Sequence, residues 1–139
     1  MPLIPITGPA ALAVSVVEVL DSFCSDADTA LTAQGIDAQW LAGDCAQPEA
    51  IASLVQDAVQ RLGSIDILVN NAGATWGAKA EEHPLAAWDK VMDLNIRGYF
   101  LLSQAVARAG MLQRGGRIIN ISSIAGLGGN PIAMRTLAY

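Results

Sequence analysis

The sequence predicts one α/β domain in which helices cover a doubly wound parallel sheet. From Gly35 onward, short runs of aliphatic residues alternate with helical patterns, which is typical of strand-helix-strand units on such a sheet. The chain has 139 residues, of which 53% are hydrophobic and 15% are charged. This length and composition predict a single domain over residues 1–139 with one buried core.

Three elements are predicted between residues 38 and 69. Ala38 to Ala42 is expected to be a strand that ends at Gly43-Asp44. Pro48 to Arg61 is predicted to be a helix, because its apolar residues recur at spacings of three and four and Gly63 follows its end. Ile65 to Val69 is rich in large aliphatic residues, which predicts a central strand covered on both faces.

A long helix and a further strand are predicted next. Pro84 to Gly110 has a helical pattern with an apolar face, and a break is expected near Asp93 to Gly98. Gly115-Gly116 ends this region, and Arg117 to Ile121 is predicted to be another aliphatic strand, followed by two serines. Ligands of open parallel sheets bind at the carboxyl ends of the strands, so these serines are candidate site residues.

The first 34 residues have a weaker pattern. Leu3 to Gly8 fits an edge strand or first strand, Pro9 to Leu20 fits a helix, and Asp26 to Gln34 fits the end of another helix.

The charge pattern argues against several kinds of partner. The net charge is −5 and the eight Lys and Arg residues form no basic run, so we expect no nucleic-acid partner and no anionic membrane surface. Met1 to Val17 is apolar but has no basic residue, and no stretch reaches the ~18 uncharged apolar residues of a spanning helix. We therefore expect a soluble, cytoplasmic protein.

The cysteines indicate no metal centre. Cys24 and Cys45 are the only two, and neither has metal-ligand spacing with the other or with His83. We expect free thiols in a reducing cytosol and no metal site.

The tetrapeptide Asn70-Asn71-Ala72-Gly73 directly follows a predicted strand. Its amides offer donors and acceptors, and its small residues leave the backbone open to a flat ring or a ribose. By itself the tetrapeptide is also compatible with an ordinary Asn-rich turn.

Further markers accompany this tetrapeptide in a fixed order. Asp44 precedes it, Asn95 follows it in a helix, and the run Gly116 to Ser123 and then Tyr139 come later. Over roughly Gly35 to Tyr139 the chain resembles the N-terminal part of short-chain dehydrogenases/reductases, of the gluconate 5-dehydrogenase or 3-oxoacyl-acyl carrier protein reductase kind. The resemblance implies a Rossmann-like dinucleotide-binding domain that is incomplete here, being truncated at the C-terminus and irregular at the N-terminus.

The resemblance implies a cofactor, NAD or NADP, and the residues that bind it. Asp44 would accept a hydrogen bond from the adenine amino group, and Asn71, Ala72 and Gly73 would line the adenosine and nicotinamide-ribose side. The alternative for Asp44 is a plain turn residue at a strand end.

The resemblance also implies three catalytic residues. Ser123 would polarise the substrate oxygen, Tyr139 would be the general acid/base, and Asn95 would hold a water in the proton relay by kinking its helix. The alternatives are a solvent-facing Asn95 and a capping Ser123, although Ser122 is the better candidate for that capping role. The family places a Lys four residues after the Tyr to make the phenol reactive near neutral pH, and the sequence stops at Tyr139.

Two departures from the family pattern fall near the N-terminus. Thr7-Gly8 begins a glycine-rich phosphate loop, but Pro9 follows and no further glycine appears until Gly35. The span from Thr7 to Asp44 is also short for the usual helix, second strand and second helix, so the choice between NAD and NADP cannot be read.

The step from Ser123 to Tyr139 is longer than usual, which a longer loop can absorb.

Three functional hypotheses follow. The first is an oxidoreductase that transfers hydride between NAD(P) and a small-molecule carbonyl or secondary alcohol. The second is a non-catalytic fragment that acts, if at all, through binding or association, because the glycine loop and the Lys are missing. The third, an epimerase or dehydratase of nucleotide sugars, is disfavoured by the Asn-Asn-Ala-Gly tetrapeptide.

A homo-oligomer formed through the long helix is left open, and an exposed Arg117 to Ile121 strand is expected to favour association.

Overall fold

The computed structural model describes residues 11–14, 29–35 and 39–127 of the chain. Its sheet has three parallel strands in the order β1 (Ala11–Val14), β2 (Ile67–Asn70) and β3 (Arg117–Asn120). The register places Val14 beside Asn70 and Asn70 beside Asn120, so the three carboxyl ends lie level with one another. The predicted α/β class with a parallel sheet is confirmed.

Helix α1 (Pro48–Leu62) matches the predicted helix closely. Pro48 lies at the helix start, where its missing N–H costs no hydrogen bond. Gly63 ends the helix with a φ of 76°, and its N–H donates to the Val59 carbonyl. This left-handed conformation favours glycine, which explains why the helix ends there.

Residues 85–114 form one long helical region with two irregular turns. Its regular parts are α2 (Leu85–Met92), α3 (Tyr99–Val106) and the short α4 (Leu112–Arg114). A π-helical turn over Asp93–Gly98 joins α2 to α3, and a second over Ala107–Met111 joins α3 to α4. The predicted break near Asp93 to Gly98 is confirmed and is a π-helical turn.

The core lies between α1, the helical region and the sheet. The inward face of α1 packs against α3, and Leu68 of β2 is fully buried beneath them. Burial of these side chains is the main stabilising contribution of the described fold. The buried core cluster comprises Cys45, Ile51, Leu54, Val55, Ala58, Ile65, Leu68, Leu102, Val106 and Met111.

Several predicted elements near the N-terminus are corrected by the structure. The helix predicted over Pro9 to Leu20 is wrong at Ala11–Val14, which form β1. The strand predicted over Ala38 to Ala42 is wrong at residues 39–42, which have no regular secondary structure. Residues 29–32 are helical, in agreement with the helix end predicted over Asp26 to Gln34. The strand proposed for Leu3 to Gly8 lies outside the described residues.

The apolar pattern near the N-terminus gave wrong predictions because short apolar stretches fit the spacing of a helix and of a strand equally well. The run around β1 contains alanine, leucine and valine, and its parallel pairing with β2 determines its conformation.

Strand β3 is exposed along its whole length. Ile118, Ile119 and Ile121 retain 40%, 45% and 42% of their accessible surface, although they are large aliphatic residues. Side chains on both faces of β3 are therefore open to solvent, unlike Leu68 in the central strand. None of the helices within the described ranges has the length and apolarity required to cross a bilayer.

Candidate functional site

The carboxyl ends of β2 and β3 are joined by a buried asparagine. Asn70 is 1% exposed, and its Nδ2 donates to the Ser103 Oγ at 2.9 Å and to the Asn120 Oδ1 at 2.7 Å. One amide group thus ties the central strand to both the edge strand and helix α3. The Asn70 Oδ1 is also buried and has no hydrogen-bond partner. Because a buried amide is costly to leave unpaired, these two bonds help to fix the strand ends.

The backbone after β2 is held by the side chain of Asn95. The Asn95 Oδ1 accepts the Ala74 N–H at 2.9 Å, and its Nδ2 donates to the Ala74 carbonyl at 2.9 Å. These two bonds satisfy both polar groups of Ala74, so Asn95 is not a solvent-facing helix residue. Asn95 lies in the Asp93–Gly98 π turn, where the local helical hydrogen bonding is irregular.

A second side chain of the same helical region fixes the residue before Gly73. The Tyr99 hydroxyl donates to the Ala72 carbonyl at 2.7 Å. Burial raises the pKa of the Tyr99 phenol, so the group keeps its proton and remains a donor at neutral pH. Asn95 and Tyr99 thereby fix the residues on either side of Gly73.

Gly73 itself is exposed between these two fixed residues. Among the described residues, a Cβ added at Gly73 would meet only the Asn95 Oδ1, at 3.8 Å, which is ordinary van der Waals contact. The packing of that part of the chain therefore does not require glycine at this position. A missing Cβ leaves room for an external group to approach the backbone closely.

The loop containing Asp44 also contacts the helical region. A Cβ at Gly98 would lie 2.5 Å from the Cys45 carbonyl oxygen, so only glycine allows this approach. The Asp44 Oδ1 accepts the Ala46 N–H at 2.9 Å, and the Asp44 carbonyl accepts the Gln47 N–H at 3.1 Å. Asp44 thus forms a turn at the start of α1 and is exposed.

Cys45 is a buried free thiol in this loop. Its burial, and to a lesser extent the negative charge of Asp44, raises the pKa of the thiol from 9.0 to about 11. The thiol is therefore protonated and poorly reactive at neutral pH. Within residues 29–35 and 39–127, no group of three or more His, Cys, Asp or Glu side chains could hold a metal ion.

Ser123 lies beyond the end of β3, where its side chain caps a short helical turn. The Ser123 Oγ accepts the Ala125 N–H at 3.1 Å, at the start of the 3-10 turn Ile124–Leu127. The suggestion that Ser122 is the better candidate for a capping role is wrong, because Ser123 makes the capping contact. The capping bond uses the hydroxyl oxygen as acceptor, so the Ser123 O–H proton is still available for donation.

The structure thus joins Asn95 to Ala74, the residue directly after the Asn71–Gly73 segment. It places Asp44 in the loop that approaches the same helical region, and Ser123 after the adjacent strand. Tyr139 lies outside the described residues.

Sequence reasoning missed five residues that shape the site: Asn70 as a buried tether, Gly98, Tyr99, Ser103 and Asn120. A signal for two of them, Tyr99 and Ser103, is visible in the sequence. Together with Asn95 they recur at a spacing of four, which places polar side chains on one helix face.

Comparison with known proteins identifies the family of the chain. A family profile described as short chain dehydrogenase matches residues 10–135. The chain belongs to this family. The match covers most of the chain and includes all the described residues, so the predicted resemblance to short-chain dehydrogenases/reductases is confirmed.

Curated short-chain dehydrogenase relatives include two bacterial reductases. The 3-oxoacyl-[acyl-carrier-protein] reductase of Synechocystis sp. is 38% identical over 101 residues, covering 73% of this chain and 41% of that protein. The rhamnolipids biosynthesis 3-oxoacyl-[acyl-carrier-protein] reductase of Pseudomonas aeruginosa is 37% identical over 108 residues, covering 75% and 42%. The chain therefore spans less than half the length of these relatives.

Solved structures of similar fold include nicotinamide-bound proteins. NAD+-bound xylitol dehydrogenase superimposes with a TM-score of 0.76 at 30% identity, covering 86% of this chain and 46% of that one. A blue fluorescent protein from a metagenomic library in complex with NADPH gives a TM-score of 0.76 at 32% identity, covering 91% and 51%.

Proposed function

We propose that the chain supplies the cofactor side of an oxidoreductase that transfers hydride between NAD or NADP and a small carbonyl or secondary alcohol substrate. The single observation that carries this proposal is the pinned segment Ala72–Ala74, with exposed Gly73 held between residues fixed by Asn95 and Tyr99. The segment lies at the carboxyl end of the central strand, where ligands bind to open parallel sheets.

The fit of a nicotinamide cofactor is supported by the space at Gly73. A Cβ there would approach no atom of the described residues closer than 3.8 Å, so an outside group can come close to the Gly73 backbone. In this proposal Asn71, Ala72 and Gly73 line the ribose side of the cofactor, and exposed Asp44 binds the adenine amino group. When bound, the cofactor supplies the hydride acceptor or donor.

The substrate side of the proposed reaction depends on two hydroxyl groups. The Ser123 O–H proton, left available by its capping contact, donates to the substrate oxygen as negative charge develops there. Tyr139 gives or removes the proton on that oxygen. Asn95 holds the backbone of Ala74 and, by family resemblance, a water in the proton relay.

The 139-residue polypeptide by itself is expected to turn over no substrate. A phenol titrates near pH ~10 and needs a neighbouring cation to act near neutrality, and the Lys that the family provides for Tyr139 is not in this sequence. A nicotinamide-linked absorbance assay with 3-oxoacyl thioesters and secondary alcohols tests this expectation. Turnover that scales with the concentration of the polypeptide would contradict it.

A chimera tests the proposed chemistry separately. Residues 39–127 would replace the equivalent segment of the Synechocystis reductase, which supplies the remaining residues. We expect measurable turnover that falls at least roughly 100-fold in Ser123→Ala. Ser122→Ala is the matched control and should retain turnover. A folded chimera that is inactive, or whose activity survives Ser123→Ala, would contradict the assigned roles.

A second candidate function is favoured by the exposure of β3. Ile118 and Ile119 on this edge strand, and Ile121 directly after it, are large apolar side chains that remain exposed, which suits association with another protein chain. Under this alternative the chain binds a partner through β3 without catalysis. Loss of partner binding in Ile119→Lys, with intact fold and no response to NADH, would favour this alternative.

A further inference from the structure

The helical region contributes the Tyr99 hydroxyl to the backbone segment Ala72–Ala74. The segment Ala72–Ala74 follows β2 and belongs to no helix or strand, so its polar groups are not satisfied by secondary structure. Asn95 takes both polar groups of Ala74, and the 2.7 Å bond from Tyr99 takes the carbonyl of Ala72. Within the described part of the chain, the peptide N–H and carbonyl of Gly73 have no protein partner.

This division of bonds distinguishes Gly73 from its neighbours. The Ala72 carbonyl and the Ala74 N–H on either side are bonded by protein side chains, whereas the N–H and carbonyl of the exposed glycine are left for solvent or a ligand. A peptide group that is held rigidly, and whose N–H and carbonyl make no hydrogen bond to the protein, binds a ligand better than a mobile one. The reason is that less conformational freedom is lost on binding.

We propose that Tyr99 is a positioning residue that fixes Ala72 and so presents the peptide groups of Gly73 to the nicotinamide cofactor. This inference rests on the proposed function, since it assigns the segment a ligand. It adds a residue that lies behind the segment and contacts no cofactor itself. Burial keeps the phenol protonated, which maintains the donor at neutral pH.

The geometry separates Tyr99 from its neighbour one turn along α3. Ser103 also uses a side-chain hydroxyl, but it accepts a hydrogen bond from Asn70 at 2.9 Å, whereas Tyr99 donates to Ala72. Tyr99→Phe should therefore loosen the Gly73 segment, and Ser53→Ala, which removes an exposed hydroxyl bonded within helix α1, is the control.

Two measurements on the 139-residue chain test the proposal. In hydrogen exchange followed by NMR, the Ala74 N–H should exchange at least several-fold faster in Tyr99→Phe and should be unchanged in Ser53→Ala. In NADH and NADPH titrations, Tyr99→Phe should weaken binding by roughly 3- to 10-fold, and Ser53→Ala should not. Equal Ala74 exchange in Tyr99→Phe and the unmodified chain would overturn the proposal, as would faster exchange without weaker cofactor binding.

Two further outcomes remain informative. If the unmodified chain binds neither NADH nor NADPH, the proposed function fails, and Ala74 exchange still decides whether Tyr99 fixes the segment. If Tyr99→Phe does not fold, the Raman tyrosine doublet is recorded on Tyr139→Phe, in which Tyr99 is the one remaining tyrosine. A strongly donating phenol supports the proposal, and the signature of a water-exposed phenol overturns it.

Discussion

The loop that follows β2 and the neighbouring edge strand β3 are stabilised in different ways. Asn70, Ala72 and Ala74 are each held by a side chain from another element, at distances of 2.7 to 2.9 Å. Ile118 and Ile119 on β3 are 40% and 45% exposed. The part of the chain assigned to the cofactor is thus stabilised from within, whereas the strand leading to Ser123 leaves large apolar side chains uncovered.

The largest predicted effect is an alkaline loss of stability caused by Cys45. Its folded pKa of about 11 exceeds the ordinary value of 9.0, so the folded state binds the proton more tightly than the unfolded state. The contribution is complete below pH 9 and is lost as pH rises to about 11, by roughly 2 to 3 kcal/mol. Urea unfolding against pH should show this slope, and Cys45→Ala should flatten it. A slope that is unchanged in Cys45→Ala would indicate that the loop beside Gly98 is not buried.

The second-largest predicted effect is a loss of stability in Gly98→Ala, where the helical region closely approaches the Cys45 loop. Gly98→Ala places a Cβ 2.5 Å from the Cys45 carbonyl oxygen, and the backbone must move to accept it. We expect a net loss of about 2 kcal/mol, since this strain exceeds the ~1 kcal/mol helical advantage of alanine over glycine. Gly126→Ala is the control, because its Cβ would meet nothing within 4 Å. Equal urea midpoints for the two variants would contradict the packing.

A smaller effect is expected from the tether between strand and helix. Ser103→Ala removes one of the two acceptors of the buried Asn70 amide and should lower the free energy of unfolding by about 1 kcal/mol. Ser53→Ala is the matched control, since the exposed Ser53 hydroxyl bonds only to the Ala50 carbonyl of its own helix. If both variants unfold at the same urea concentration, the tether does not stabilise the strand ends.

Lysine substitutions at and directly after β3 are predicted to have the smallest effect on stability but a large effect on association. Ile119→Lys and Ile121→Lys replace exposed side chains, so the free energy of unfolding should change by no more than about 0.5 kcal/mol. Sizing chromatography should show the unmodified chain associated and the double variant shifted toward the monomer. A monomeric unmodified chain would show that the exposed strand does not drive association.

The sequence predicted the elements that carry strong periodicity or clear end signals. The apolar spacing and Gly63 defined helix α1, and the glycines after residue 114 defined the end of the helical region. The N-terminal elements were mispredicted because the apolar residues around Ala11–Val14 fit a helix as well as a strand. Parallel pairing with β2 decides the conformation, and no local pattern reports that pairing.

The candidate site was predictable in its chain order but not in its supporting contacts. Asn95 and the Asn71–Gly73 segment could be assigned by resemblance, and the structure bonds Asn95 to Ala74, the residue that follows the segment. The roles of Asn70 and Tyr99 depend on which residues fold together across gaps of 33 and 27 positions, which spacing along the chain does not reveal. The absence of a close neighbour at Gly73 likewise becomes visible only in three dimensions.

The most direct test of the central claim is an NMR titration of the chain with NADH, and separately with NADPH. We expect NADH or NADPH to perturb the amide signals of Asn71, Gly73 and Ala74. We also expect Gly73→Ala to reduce this response without changing the unfolding midpoint. Gly73→Ala should fold normally, because its added Cβ would lie 3.8 Å from the nearest protein atom. Perturbations confined to other regions, or an identical response in Gly73→Ala, would contradict the claim that this segment receives a nicotinamide cofactor.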